Sequence, residues 1–232
     1  PRFPNIEVSV RPESDFFSRL SAFYMITGWY RQQIVKLHVP VKLGFGGYLT
    51  LDSDVCCVGD FDSRTFVEDG RGLSRWEPKV HHDWWRNVTD IVGTHYDSPG
   101  HGLSVTPNLL HGDLAAQALE FMRQSWLPSS TTALVSWKVR RPWKVPWTEY
   151  SLYTSVAELK GNLFDYHVEW NTCYGSDVHL FSEQSCVWGA DDFERMVALP
   201  NGTDPGGKFI IVQSHARIPL ERVREYALSF AG

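Results

Sequence analysis

The run Gly47-Tyr48-Leu49-Thr50-Leu51-Asp52-Ser53-Asp54-Val55 constrains this chain more than any other, because it closes an apolar, strand-like segment with two carboxylates one residue apart. Tyr48, Leu49 and Leu51 suit a buried strand. The chain turns polar where a sheet would reach its carboxyl edge, the place where open α/β sheets bind ligands. Side chains at i and i+2 of an extended segment point the same way, so the spacing predicts that Asp52 and Asp54 face one divalent cation or one ligand. Solvated turns and helix caps also carry Asp-x-Asp, and the surrounding chain must therefore decide between these readings.

A chain of 232 residues, 43% of them hydrophobic, can bury a large core, and it reads as one domain. No apolar run approaches the roughly 20 residues that cross a bilayer, and Pro1-Arg2-Phe3-Pro4 does not read as the start of a signal peptide. A net charge of -5 with interspersed signs argues against nucleic acid as the main partner. Of the four cysteines, Cys56 and Cys57 are vicinal while Cys173 and Cys186 lie far apart, which matches neither a zinc spacing nor a dense disulfide framework. A reducing cytoplasm is the expected compartment.

Ten tryptophans within an aromatic content of 14% are the compositional outlier. Most of them read as core, since each buries a large surface. The clusters His81-His82-Asp83-Trp84-Trp85 and Trp137 to Trp147 also offer flat apolar platforms for a sugar ring. A second metal cluster at His81, His82 and Asp83 is disfavoured, because adjacent histidines on a helix point to different faces.

Apolar periodicity predicts alternating helices and strands. Helices are expected over Glu13 to Ile26, Trp29 to His38 with Pro40 as its stop, His81 to Val92, Asp113 to Ser125, Thr148 to Leu159, Asp191 to Leu199 and Leu220 to Phe230. Strands are expected up to Asp52-Ser53-Asp54, over Gly102 to Pro107 with Pro107 ending it, over Tyr166 to Trp170 and over Lys208 to Gln213. Phe61 to Pro78 reads as a turn-rich excursion, and Leu127 to Pro146 has no clear pattern. The implied class is α/β.

Five segments occur in a telling order: Gly28-Trp29-Tyr30-Arg31-Gln32-Gln33-Ile34-Val35-Lys36-Leu37, Tyr48 to Asp54, Val105-Thr106-Pro107, Trp147-Thr148-Glu149-Tyr150, and Gln213-Ser214-His215-Ala216-Arg217-Ile218-Pro219. From about residue 28 to about residue 225 the chain resembles a bacterial family of uncharacterised glycosyltransferase-like proteins with a GT-A-type nucleotide-sugar fold. The resemblance implies one domain around a mixed, mainly parallel sheet flanked by helices. It also implies transfer of a sugar from a nucleoside-diphosphate donor to a carbohydrate or other hydroxyl acceptor, with Mn2+ or Mg2+. In such proteins a strand–helix–strand unit for the base precedes the Trp-Tyr-Arg-Gln-Gln helix, whereas 27 residues precede Gly28 here. The expectation is an N-terminally incomplete unit, or a late strand supplied by Arg2 to Val10, where Ile6, Val8 and Val10 alternate.

The chemistry assigns roles. A cation between a carboxylate and phosphate oxygens neutralises a leaving diphosphate, so Asp54 is the expected metal ligand and Asp52 the contact to ribose or to water on the metal. The resemblance implies a C-terminal histidine that completes the site, and His215, just past the strand Phe209-Ile210-Ile211-Val212, takes that place. Glu149 is the expected general base, although a carboxylate in a first helical turn is favoured by the helix dipole alone. Arg31 and Arg217 are the candidate phosphate contacts. For Arg31 and Lys36 a solvated face of an amphipathic helix is the competing reading, and Gln32 and Gln33 have no derivable role. A metal-dependent phosphatase and a catalytically silent carbohydrate-binding domain are the alternative classes.

Overall fold

The computed structural model describes residues 9–17, 27–74, 76–79, 82–93, 100–103, 106–126, 147–169, 186–198 and 208–230. Helix and strand alternate along them, and the architecture is α/β. No described helix is long and apolar enough to cross a membrane.

α1 (Gly28–Leu43) buries Tyr30, Ile34 and Leu37, which recur at helical spacing. It runs through Pro40 to Leu43, so the expected stop at Pro40 is corrected. A proline withdraws only its own N–H from the ladder, and here its ring is buried. Gly44 closes the helix instead. Its φ of 72° lets the Gly44 N–H reach back to the carbonyls of Pro40 and Val41.

β1 (Gly47–Thr50) pairs antiparallel with β7 (Asn108–His111), placing Tyr48 opposite Leu110 and Thr50 opposite Asn108. The strand stops at Thr50, and residues 51–54 form a turn, with the Val55 N–H donating to Asp52 O at 3.2 Å before β2 (Val55–Cys57). The expectation that Asp52 and Asp54 extend a strand is therefore corrected. Leu51, exposed at 47%, belongs to the turn and not to a buried strand.

The excursion from Phe61 to Pro78 carries three short strands, β3 (Val67–Glu68), β4 (Arg71–Ser74) and β5 (Glu77–Pro78). α2 (His82–Val92) follows, then β6 (His101–Gly102), β7, and α3 (Gly112–Trp126). Pro107 lies just before β7, and residues 104–105 of the strand expected to end there lie outside the described residues. α4 (Glu149–Lys160) and α5 (Leu163–Tyr166) lead to β8 (His167–Glu169), then β9 (Cys186–Val187), α6 (Ala190–Val197), β10 (Phe209–Val212) and α7 (Leu220–Leu228). The expected helix beyond Phe17, the strand within Arg2 to Val8, the segment Leu127 to Pro146 and Cys173 lie outside the described residues. Cys56 and Cys57 are free thiols.

The sheets are mixed, as expected, and antiparallel pairs outnumber parallel ones among the described residues. Among the described residues β1–β7, β2–β10, β3–β4 and β5–β6 run antiparallel, while β9–β10 and β4–β8 run parallel. Hydrophobic pattern reveals that a segment pairs, whereas direction depends on the path of the intervening chain. β10 lies between β2 and β9 with all four residues buried. Phe209 and Ile211 pack into one core, and Ile210 and Val212 into another with Phe193 and Met196 of α6. The largest core joins α1, α3 and α4 through Ile34, Leu37, Ala118, Met122, Tyr153 and Val156. Trp147 is buried there and meets the Tyr30 ring edge-on at 5.3 Å, and Trp85 is buried as well.

Candidate functional site

Three of the five sequence segments are tied together by one face of α1. Lys36 Nζ lies 2.5 Å from Asp52 Oδ1 and 2.6 Å from Glu149 Oε1. Gln32 Nε2 donates to the same Asp52 oxygen at 2.8 Å, and Gln33 Oε1 accepts the backbone N–H of Glu149 at 3.2 Å. Lys36 follows Gln32 by four residues and Gln33 by three, so the three polar side chains reach from one side of α1 and clamp two distant segments.

The fourth segment fixes the aspartate turn. Thr106 Oγ1 donates to Thr50 O at 3.1 Å and accepts the Asp52 N–H at 3.2 Å. Thr50 Oγ1 donates to Asn108 O at 3.0 Å and pairs with the Tyr150 hydroxyl at 2.7 Å. Glu149 is placed by a reciprocal cap at the start of α4, where Thr148 Oγ1 accepts the Ser151 N–H at 3.1 Å and Ser151 Oγ accepts the Thr148 N–H at 3.0 Å. The fifth segment arrives beside Asp54, whose carbonyl accepts the Val212 N–H at 2.9 Å. His215 follows in a single turn of 3-10 helix, its ring 6.2 Å from that of Trp188.

These segments surround a cavity of about 270 Å³ lined by Lys36, Asp52 and Glu149 together with Gln213 and His215. Trp29, Trp84 and Trp188 also line it, and Trp29 and Trp188 keep 45% and 47% of their surface open. The expected aromatic platform at Trp84 thus meets the cleft, while Trp85 serves the core.

Lys36 contacts the carboxylates of Asp52 and Glu149, and its ammonium is felt more weakly by Asp54. Burial pushes the Glu149 carboxyl up and Asp52 adds to this, against the pull of Lys36. Burial alone would lower the Lys36 pKa, but Tyr150, Glu149 and Asp52 outweigh it and hold the ammonium above its ordinary range. Burial raises the Asp54 carboxyl as well, and Asp52 contributes. The N–H groups of Asp54 and Ser214 oppose the shift. Asp54 Oδ1 is buried with no hydrogen-bond partner among the described residues.

Asp52, Glu149 and His215 therefore line one cavity, and Asp54 lies alongside it without being part of its lining. No group of three His, Cys, Asp or Glu side chains among the described residues is arranged to hold a metal by itself. The orphaned Asp54 oxygen fits a cation that takes one protein carboxylate and draws its other ligands from phosphate oxygens and water. Arg31 sits 3.7 Å from Glu13 and Arg217 ends the His215 turn in a left-handed conformation, φ 56°; neither lines the cavity. Lys36 was readable from sequence as a phosphate contact or a charged helix face, but not as the bridge between Asp52 and Glu149. Its signal was the Gln-Gln-x-x-Lys spacing on a helix that turns Tyr30, Ile34 and Leu37 into the core.

A family model described as "Family of unknown function (DUF6492)" matches residues 2–231. No curated protein and no solved structure matches the chain.

Proposed function

The chain belongs to the DUF6492 family, and from its cleft we propose a metal-dependent glycosyltransferase of GT-A type that moves a sugar from a nucleoside-diphosphate donor to a hydroxyl acceptor. The observation that carries this reading is the meeting of Asp52 and Glu149 in a tryptophan-walled cavity, beside an Asp54 oxygen that lacks a partner among the described residues. Exposed indole faces suit the apolar faces of a sugar ring. A cavity just under the usual range for small-molecule sites, about 300–1,000 Å³, suits a single ring more than a whole donor.

Asp54 would hold the cation with His215 nearby, and when bound the cation neutralises the diphosphate leaving group. Glu149, shielded from water, accepts the acceptor hydroxyl's proton, and Lys36 opposes its neutralisation by burial. Asp52 faces the donor side. One observation favours a second reading, a carbohydrate-binding domain without turnover: Lys36 already satisfies oxygens of both Asp52 and Glu149.

Incubation with a panel of nucleoside-diphosphate sugars and Mn2+ separates the two. Release of the nucleoside diphosphate that disappears in Asp54→Ala supports the transferase. Sugar binding without any release supports the silent domain, and hydrolysis of a simple phosphate ester without donor supports a phosphatase.

A further inference from the structure

The bridging lysine occupies the position that an added cation would seek. Lys36 Nζ touches Asp52 at 2.5 Å and Glu149 at 2.6 Å, and its side chain is only 10% exposed. It is held there on a helix anchored at both sides, by Gln32 on Asp52 and Gln33 on the Glu149 backbone. Asp52 is the more open partner, 32% exposed against 2% for Glu149. Water can therefore stabilise Asp52 when its contact with the ammonium lengthens, whereas Glu149 would be left as an unpaired buried charge. The ammonium thus has one partner it can release and one it cannot.

We propose that Lys36 is a built-in counter-ion that a divalent cation displaces from Asp52. Without the cation Lys36 clamps Asp52 to Glu149 and fills the negative end of the cleft. With a cation beside Asp54, Lys36 withdraws to Glu149 alone and Asp52 turns to the incoming charge. Lys36 is a positioning residue in this scheme: it sets how tightly the cleft takes a metal in the absence of donor and keeps Glu149 paired throughout. The inference rests on the metal reading of Asp54 given above.

The test uses Mn2+ alone, with free ion counted by electron paramagnetic resonance, on the full chain and on Lys36→Met, Glu149→Gln and the Lys36→Met/Glu149→Gln double variant. Removing a unit positive charge from contact distance is expected to tighten Mn2+ binding on the order of 10-fold in Lys36→Met. Glu149→Gln, which leaves Lys36 to Asp52 alone, should bind Mn2+ no more tightly than the parent. If Lys36→Met does not fold, the double variant, which carries no unpaired buried charge, should still bind about 10-fold more tightly than Glu149→Gln. Equal Mn2+ affinity with and without Lys36 overturns this inference and leaves the metal reading standing. Absence of Mn2+ binding in every variant overturns the metal reading and the inference with it.

Discussion

Lys36 and Glu149 are joined by a 2.6 Å contact across 113 positions of sequence. Glu149 is buried while Lys36 is half-buried and keeps a second partner in Asp52, so the pair is asymmetric under mutation. Lys36→Met strands a buried carboxylate and is expected to cost about 3–5 kcal/mol, whereas Glu149→Gln leaves Lys36 on Asp52 and should cost about 1–2 kcal/mol. Urea denaturation of the two variants checks the order, and a smaller loss for Lys36→Met would contradict it.

Glu149→Gln also separates catalysis from architecture. The amide keeps the shape but cannot take a proton, so transfer should fall by roughly 100-fold to 10,000-fold while donor binding is nearly retained. Steady-state turnover beside direct donor titration measures both. Unchanged turnover would reduce Glu149 to a residue of the helix start.

How much of this was legible in the sequence differs by element. Periodicity located the main helices because their apolar faces are local. α4 even begins where Thr148-Glu149 suggested. The aspartate turn was misread as strand because Tyr48, Leu49 and Leu51 are apolar, and the end of β1 is set by Thr106 and Asn108, which are more than 50 positions away. Of the site, the carboxylates and His215 could be picked by residue type. The bridging role of Lys36 could not, since a lysine on a helix is usually solvated and its two partners are neighbours only in three dimensions.

Acid should weaken the fold through a buried histidine. Burial, with His111 adding to it, pushes His167 down to about 3, and the ring is held between Ser74 Oγ at 2.8 Å and the Tyr153 hydroxyl at 2.7 Å. An unfolded histidine titrates near about 6.5, so below that pH the unfolded chain binds a proton that the folded chain refuses. This contribution is complete above about pH 6.5 and is lost as pH falls toward 3, with a slope approaching about 1.4 kcal/mol per pH unit. Denaturation from about pH 7 to about pH 5 should show a steeper loss in the parent than in His167→Gln. Parallel curves would contradict the assignment.

Gly112 is required by a close backbone approach. A Cβ there would lie 2.0 Å from Phe45 O, and the Gly112 N–H already donates to Gly46 O at 2.6 Å. Gly112→Ala is expected to cost about 1–3 kcal/mol by displacing the segment between α1 and β1. Gly28→Ala, where the added Cβ meets nothing within 4 Å, serves as the control and should be neutral or slightly stabilising. Thermal melting of the two variants is sufficient.

The most direct test of the proposed function is calorimetric titration of a series of nucleoside diphosphates into the chain with and without Mn2+, repeated on Asp54→Ala. A diphosphate and a carboxylate repel each other unless a cation lies between them. The account predicts binding that requires Mn2+ and that loses its metal dependence when Asp54 is removed. Binding of equal strength with and without Mn2+, unchanged in Asp54→Ala, would contradict it.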